Sequence, residues 1–348
     1  MKWLDLGYPR IVLMVLIVGT ILGLVFAAST STAAFGTFNS QWNGASDLRG
    51  EADGVGVDSE IIRDTSQYAN VPTDGTIAVI LSPKTGYGPA EAERVNQFVR
   101  SGGTVLVAED FRPHTNELLA DFSADARVDG QLLRDDRYHY RGSGLPVARN
   151  VSEHPLMQGV TSVTLNHGTV VRPNGATVLI STSDYAYIDT NRNGELDDQE
   201  SLGSYPVVTV EQVGEGQAVV VGDPSLLINA MLDRSGNQAF VRSVFSAHDR
   251  VLLDYSHAGE LPMLSVAVLV LRDSTVLQFL LSSAGIIVIG VWIRRPDLLR
   301  QIRDEFDRDE PESIRTEPAE LAAFIRRRYP DWDDERIQRV VREIRHRR

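Results

Sequence analysis

Hydrophobic positions along the chain fall into two kinds of run. Near the ends lie two long uncharged stretches, Ile11 to Ala28 and Val276 to Ile293, while the apolar runs between them are short and interrupted. Each long stretch has about the 18 residues that cross a bilayer as a helix, so the pattern predicts two transmembrane helices. Lys2 and Arg10 flank the first and Arg294, Arg295 and Arg300 follow the second, which places both termini in the cytoplasm and the middle outside. Ala27, Ala28 and Ser29 also offer small residues for signal cleavage, but the stretch is longer than a usual signal core and reads as a retained anchor.

The middle alternates strands with helices. Thr76 to Pro83 and Thr104 to Glu109 are continuous apolar runs, the mark of strands buried on both faces. Between them Pro89 opens a helix over 90–100, with Val95, Phe98 and Val99 on one side, and Gly102 and Gly103 end it. A second helix is expected near Asn116 to Phe122, and right-handed crossover makes the two strands parallel neighbours. Downstream, Val160 to Leu165, Ala176 to Ser181, Val207 to Val213 and Gln217 to Val221 read as strands. Gly214, Glu215 and Gly216 join the last two as a hairpin, and a helix from Gln238 to Phe245 and a strand from Arg250 to Tyr255 complete the domain.

The expected organisation is a cytoplasmic N-terminus (1–10), a transmembrane helix (11–28), a linker (29–45) and an extracytoplasmic α/β domain (46–258). A juxtamembrane segment (259–275), a second transmembrane helix (276–293) and a cytoplasmic tail (294–348) follow. In the tail, Asp304 to Glu312 is a charged linker, and two amphipathic helices meet at Trp332, one carrying Leu321, Phe324 and Ile325, the other Ile337, Val340, Val341 and Ile344. So small a module buries little, which points to a membrane or cytoplasmic protein partner; Arg345, Arg347 and Arg348 are alternatively placed against anionic lipid.

Composition adds a setting. The formal charge is −13, and Lys2 and Lys84 are the only lysines among 34 basic residues, as in a halophile's chain kept soluble in concentrated salt. An acidic domain without a basic stripe excludes nucleic-acid binding. There is no cysteine, which removes disulfides, zinc thiolates and cysteine nucleophiles.

The sharpest chemical motif is Asp189 to Glu200, DTNRNGELDDQE. Oxygen side chains at loop positions one, three, five, nine and twelve (Asp189, Asn191, Asn193, Asp197, Glu200), the carbonyl of Glu195 and the turn residue Gly194 match a calcium loop. The sequence on either side reads as strand, so a stapled connection, rather than a calcium sensor, is expected. A second group comprises Asp223, Ser225, Asn229, Asn237, Asp254 and His257. If their strands are neighbours they face one ligand crevice; alternatively Asp223, Ser225 and Asn237 cap helices. His114, His139, His154 and His167 lack metal-ligand spacing.

The stretch Glu91 to Asp110 resembles the class I glutamine-amidotransferase-like fold, and His154-Pro155-Leu156 with Gly159 is similar to a turn found in such domains. GDPSLLINAML (222–232), Asn237 and LLDYSH (252–257), followed by an apolar stretch, closely resemble the family known as domain of unknown function 4350. The resemblance implies an α/β, flavodoxin-like sandwich with a mainly parallel sheet, and a genomic association with MoxR-type ATPases. Amidotransferase chemistry needs a cysteine, which the chain lacks. The expectation is therefore a membrane-anchored, two-pass, non-catalytic ligand-binding or assembly subunit of the cell envelope, with a calcium-stabilised loop and the lipid bilayer as a partner. Two alternatives stay open: a hydrolase using Asp254, His257 and Ser225, and a structural partner of a transporter or MoxR-type ATPase system.

Overall fold

A computed structural model describes residues 8–29, 31–259 and 318–346, with scattered positions between 262 and 286. The chain divides into two compact units, Met1–Val270 and Leu271–Arg348.

Among the described residues, eight strands build the main sheet of the first unit. They lie in the order β1 (Asp58–Ile62), β13 (Arg250–Asp254), β2 (Thr76–Leu81), β3 (Thr104–Ala108), β12 (Gly216–Val221), β11 (Pro206–Val213), β9 (Thr177–Ser181) and β6 (Asn150–Val151). The first five pair in parallel, with Ile77 of β2 against Thr104 of β3, as the crossover argument requires. The last three are added by antiparallel pairing, and β12 with β11 forms the expected hairpin around Gly214 at φ +63°. A smaller sheet orders β10 (Ala186–Asp189), β4 (Arg127–Asp135) and β8 (Thr169–Arg172), while β5 (Val147–Ala148) pairs with β7 (Val163–Thr164).

The all-buried TIAVIL of β2 follows from a sheet covered on both sides. Ile77, Val79 and Leu81 point into one core with α2 (Leu48–Gly54) and α6 (Ser235–Ser246). Ala78 and Ile80 point into the other with α3 (Pro89–Arg100) and α4 (His114–Asp121). The short helix α5 (Asn229–Leu232) precedes α6. The turn at His154 is structural: its Nδ1 accepts from Leu156 N at 3.2 Å and Gly159 takes φ +73°.

The α/β class is compatible with this sheet, but the transmembrane flanks need correction. Among the described residues no helix is long and apolar enough to cross a membrane. Helix α1 (Tyr8–Ser29) coincides with the first predicted span. The second predicted span, Val276–Ile293, lies largely outside the described residues, as do most of 259–275, the charged linker at Asp304 to Glu312, and Arg347 and Arg348.

The segment expected to be a linker, 29–45, is packed onto the domain from Ser31 onward. Ala45 is fully buried, Asn39 Nδ2 donates to Ala33 O at 3.0 Å, and the Tyr255 ring meets Phe38 edge to face at 5.1 Å. In the second unit, α7 (Pro318–Arg328) and α8 (Asp334–His346) bury Ile325, Ile337 and Val341 between them, with Trp332 at the joint and an Arg326–Asp334 ion pair. Phe324 is left 69% exposed.

Candidate functional site

Parallel strands deliver their carboxyl ends to one edge of the sheet, and a row of polar side chains follows them there. In spatial order these are Asp254 at the end of β13, Ser82 after β2, Glu109 after β3 and Asp223 after β12. All four are buried.

Asp254 is the best partnered. Tyr68 Oη donates to its Oδ2 at 2.7 Å, Tyr87 Oη reaches the same oxygen at 3.5 Å, and Ser256 N donates to Oδ1 at 2.7 Å. Burial raises its carboxyl above the ordinary range, against the pull of the Ser256 and Tyr68 hydrogen bonds. Burial, and then the Asp254 charge, push both tyrosines well above their usual value. His257 stacks on Tyr87 with centroids 3.8 Å apart; Ser256 Oγ lies 2.8 Å from its Nδ1 and Glu91 Oε2 3.3 Å from its Nε2.

Glu109 is fully buried at the centre of the row. Its Oε1 accepts from Ser82 Oγ at 3.1 Å, Asp110 N at 2.9 Å and Arg112 N at 3.3 Å, whereas Oε2 has no hydrogen-bond partner among the described residues. Burial, and then Asp110, push this carboxyl up to about 7. Arg112 Nη1 also donates to Ser82 O at 3.0 Å, which helps hold Ser82 at φ +38°, a strained value for a side-chain-bearing residue. Asp223 accepts from Asn166 N at 2.5 Å and Ser225 N at 2.7 Å; burial still pushes it up to about 7.

The six sequence candidates therefore separate. Asp254 and His257 come together through Ser256. Asp223 caps a 3-10 turn (Pro224–Leu227) that holds Ser225. β12 and β13 are not neighbours: β2 and β3 lie between them, so Ser225 and His257 follow strands about 14 Å apart at ~4.8 Å per strand. Asn229 is spent on the N-terminal segment: its Nδ2 donates to Gln41 O at 2.7 Å and its Oδ1 accepts from Asp47 N at 3.1 Å. Asn237 pairs with the backbone of Thr164, accepting from its N at 2.7 Å and donating to its O at 3.0 Å.

Sequence reasoning did not single out Tyr68, Ser82, Glu91 or Ser256. Glu109 enters the sequence reading only as the end of a strand, although a charged residue closing an all-apolar run is a usable signal.

The 189–200 loop joins the small sheet to the main one, running from the last residue of β10 toward β11. Asp189 is fully buried, and its Oδ2 accepts from Arg134 Nε at 2.5 Å and Gly194 N at 3.1 Å. Asn191 Nδ2 and Asn193 Nδ2 both meet Asp197 Oδ2, at 2.6 and 2.9 Å, so three candidate ligands converge. Thr190 N and Asp197 N hold the two oxygens of Glu200 at 2.7 and 3.3 Å. Gly194 sits at φ +85°, which the sharp turn at position six requires. Among the described residues no three His, Cys, Asp or Glu side chains converge as a metal group. A cation here would draw on the amide oxygens of Asn191 and Asn193 and the Glu195 carbonyl besides carboxylates, a hard-oxygen set that suits calcium.

The chain belongs to the family described as domain of unknown function DUF4350, whose profile matches residues 37–245. No curated protein matches it. Among solved structures, the mmIFT52 N-terminal domain is similar at 16% identity, with 52% of this chain and 78% of that chain covered and a TM-score of 0.41. A cytoplasmic protein from Salmonella typhimurium LT2 is similar at 11% identity, covering 58% and 86%, with a TM-score of 0.37. For an exo-beta-1,4-mannosidase from Opitutaceae bacterium strain TAV5 the figures are 17% identity, 49% and 25% coverage and a TM-score of 0.29, so the chain spans about a quarter of that enzyme.

Proposed function

We propose that this protein is a non-catalytic assembly subunit whose sheet-to-sheet connection is stapled by calcium. One observation carries the reading: at the carboxyl edge of the sheet Asp254, Ser82 and Asp223 are spent on partners within the fold, with Glu109 Oε2 left without one among the described residues, while a cavity of about 450 Å³ opens beside β1. A reaction centre needs groups that are poised toward a substrate. Here Asp254, Asn229 and Asn237 are enclosed by partners within the fold. α1, by contrast, exposes large apolar side chains from Val12 to Leu24, 46–67% accessible, a surface that favours contact with a partner. The exposed Phe324 of the tail favours the same. The test is purification of the full chain from its native source under mild extraction. A polypeptide held at fixed stoichiometry, retained by a His257→Ala variant, is the expected result; a lone chain overturns the proposal.

A second reading has one specific observation in its favour. Hydroxyl, imidazole and carboxylate line up at Ser256, His257 and Glu91, the order a serine hydrolase uses, with Ser256 in the place that the sequence assigned to Ser225. p-Nitrophenyl ester hydrolysis abolished by Ser256→Ala would favour it, and unchanged background hydrolysis would remove it.

A further inference from the structure

The cavity of about 450 Å³ sits where the main sheet ends. β1 is an edge strand, and Glu60 and Ile61 line the space together with Arg63, Arg49 of α2, Phe38 and Leu264. Its volume is in the range of small-molecule sites.

Two features bear on what it could hold. The chain has a formal charge of −13; among the described residues Arg134, Arg172, Arg242 and Arg326 are ion-paired, whereas Arg49 and Arg63, like Arg94 and Arg112, are not. Arg63 Nε is also shut off from solvent with no hydrogen-bond partner among the described residues. A buried donor that neither water nor protein satisfies is costly, and a guanidinium is satisfied best by the planar oxygens of a carboxylate or phosphate. Phe38, Ile61 and Leu264 add apolar surface to the lining, and Glu60 adds one negative charge.

We propose that this cavity binds an anionic amphiphile, a single carboxylate or phosphate head held by Arg63 and Arg49 with an apolar tail against Phe38, Ile61 and Leu264. Arg63 follows Ile62, the register partner of Asp254, so the cavity reaches the same edge of the sheet, but its lining includes none of the buried row and the proposal stands whether or not the assembly reading holds. The same head chemistry occurs in a free fatty acid and in an anionic lipid, and the experiment distinguishes them.

Isothermal titration of the full chain with monomeric decanoate is expected to show saturable one-to-one binding, with decyl maltoside giving none. Arg63→Gln and Arg49→Gln should each weaken decanoate about tenfold or more, and Glu60→Gln should tighten it. Arg49 is exposed, so its variant tests the site even if Arg63→Gln fails to fold. Sedimentation with phosphatidylglycerol vesicles but not phosphatidylcholine vesicles, lost in Arg49→Gln, assigns the head to a lipid; decanoate binding without vesicle binding assigns it to a free acid. No decanoate binding, equal binding of decyl maltoside, or unchanged affinity in Arg49→Gln would overturn the proposal.

Discussion

Tyr68 and Asp254, 186 positions apart in the chain, meet through a 2.7 Å hydrogen bond at the carboxyl edge of the sheet. The hydroxyl sits on a capped 3-10 turn (Thr65–Asn70) and the carboxylate on the last residue of β13, so one bond ties a surface turn to the sheet. Tyr68→Phe leaves the buried Asp254 Oδ2 with only the long Tyr87 contact. The expected loss is about 1–3 kcal/mol, read by chemical denaturation near pH 7. An unchanged midpoint would show that the pair contributes nothing.

The Glu109 and Asp223 carboxyls give a pH dependence with a definite sign. Both are pushed up to about 7 in the fold, whereas an unfolded chain releases these protons near pH 4. Between those values the native state binds more protons, so stability is complete below pH 4 and declines as pH rises toward 7, by up to about 1.4 kcal/mol per pH unit for each group. Buried His248, whose value is lowered chiefly by burial, opposes this by losing stability as pH falls through its usual titration range. Glu109→Gln removes a buried charge and keeps an acceptor for Ser82, so it should raise the melting temperature at pH 8 more than at pH 4. An equal shift at both values would contradict the assignment.

Asn237 bonds both backbone groups of Thr164 inside the domain. Asn237→Ala orphans that N–H and C=O together and should cost about 2–4 kcal/mol. Asn229→Ala should instead loosen the segment before α2, and the matching readout is faster hydrogen exchange at Asp47 N, which loses its acceptor.

Calcium should raise the melting temperature of the full chain at about 1 mM, the regime of extracellular loops, and a chelator should lower it. Arg134 already neutralises Asp189 within the loop, which favours this weak regime over a tight one. Asp197→Ala removes the carboxylate on which Asn191 and Asn193 converge and should abolish the shift. A melting temperature indifferent to calcium in the wild type would count against the staple.

Elements with a strong period or clear punctuation were legible from sequence. β2 and β3 are all-apolar, α3 starts at Pro89, and the β12–β11 hairpin turns on glycine, so local chemistry and tertiary position agree. β1 and β4 were not legible, because an edge strand such as DSEII or a strand broken by Gly130 carries no continuous apolar signal. The candidate site was only half legible. Strand ends can be read from a sequence, but strand order cannot, and the insertion of β2 and β3 between β12 and β13 separates Ser225 from His257. Hydropathy alone marked two spans; among the described residues no helix has the length and apolarity to cross a membrane.

The central claim is that the carboxyl-edge groups are engaged within the fold and perform no nucleophilic chemistry. Labelling of the folded full chain with a fluorophosphonate probe tests it most directly, because only an activated serine reacts. The account predicts no label on Ser256 above that of the heat-unfolded chain; stoichiometric labelling of Ser256 that His257→Ala abolishes would contradict it.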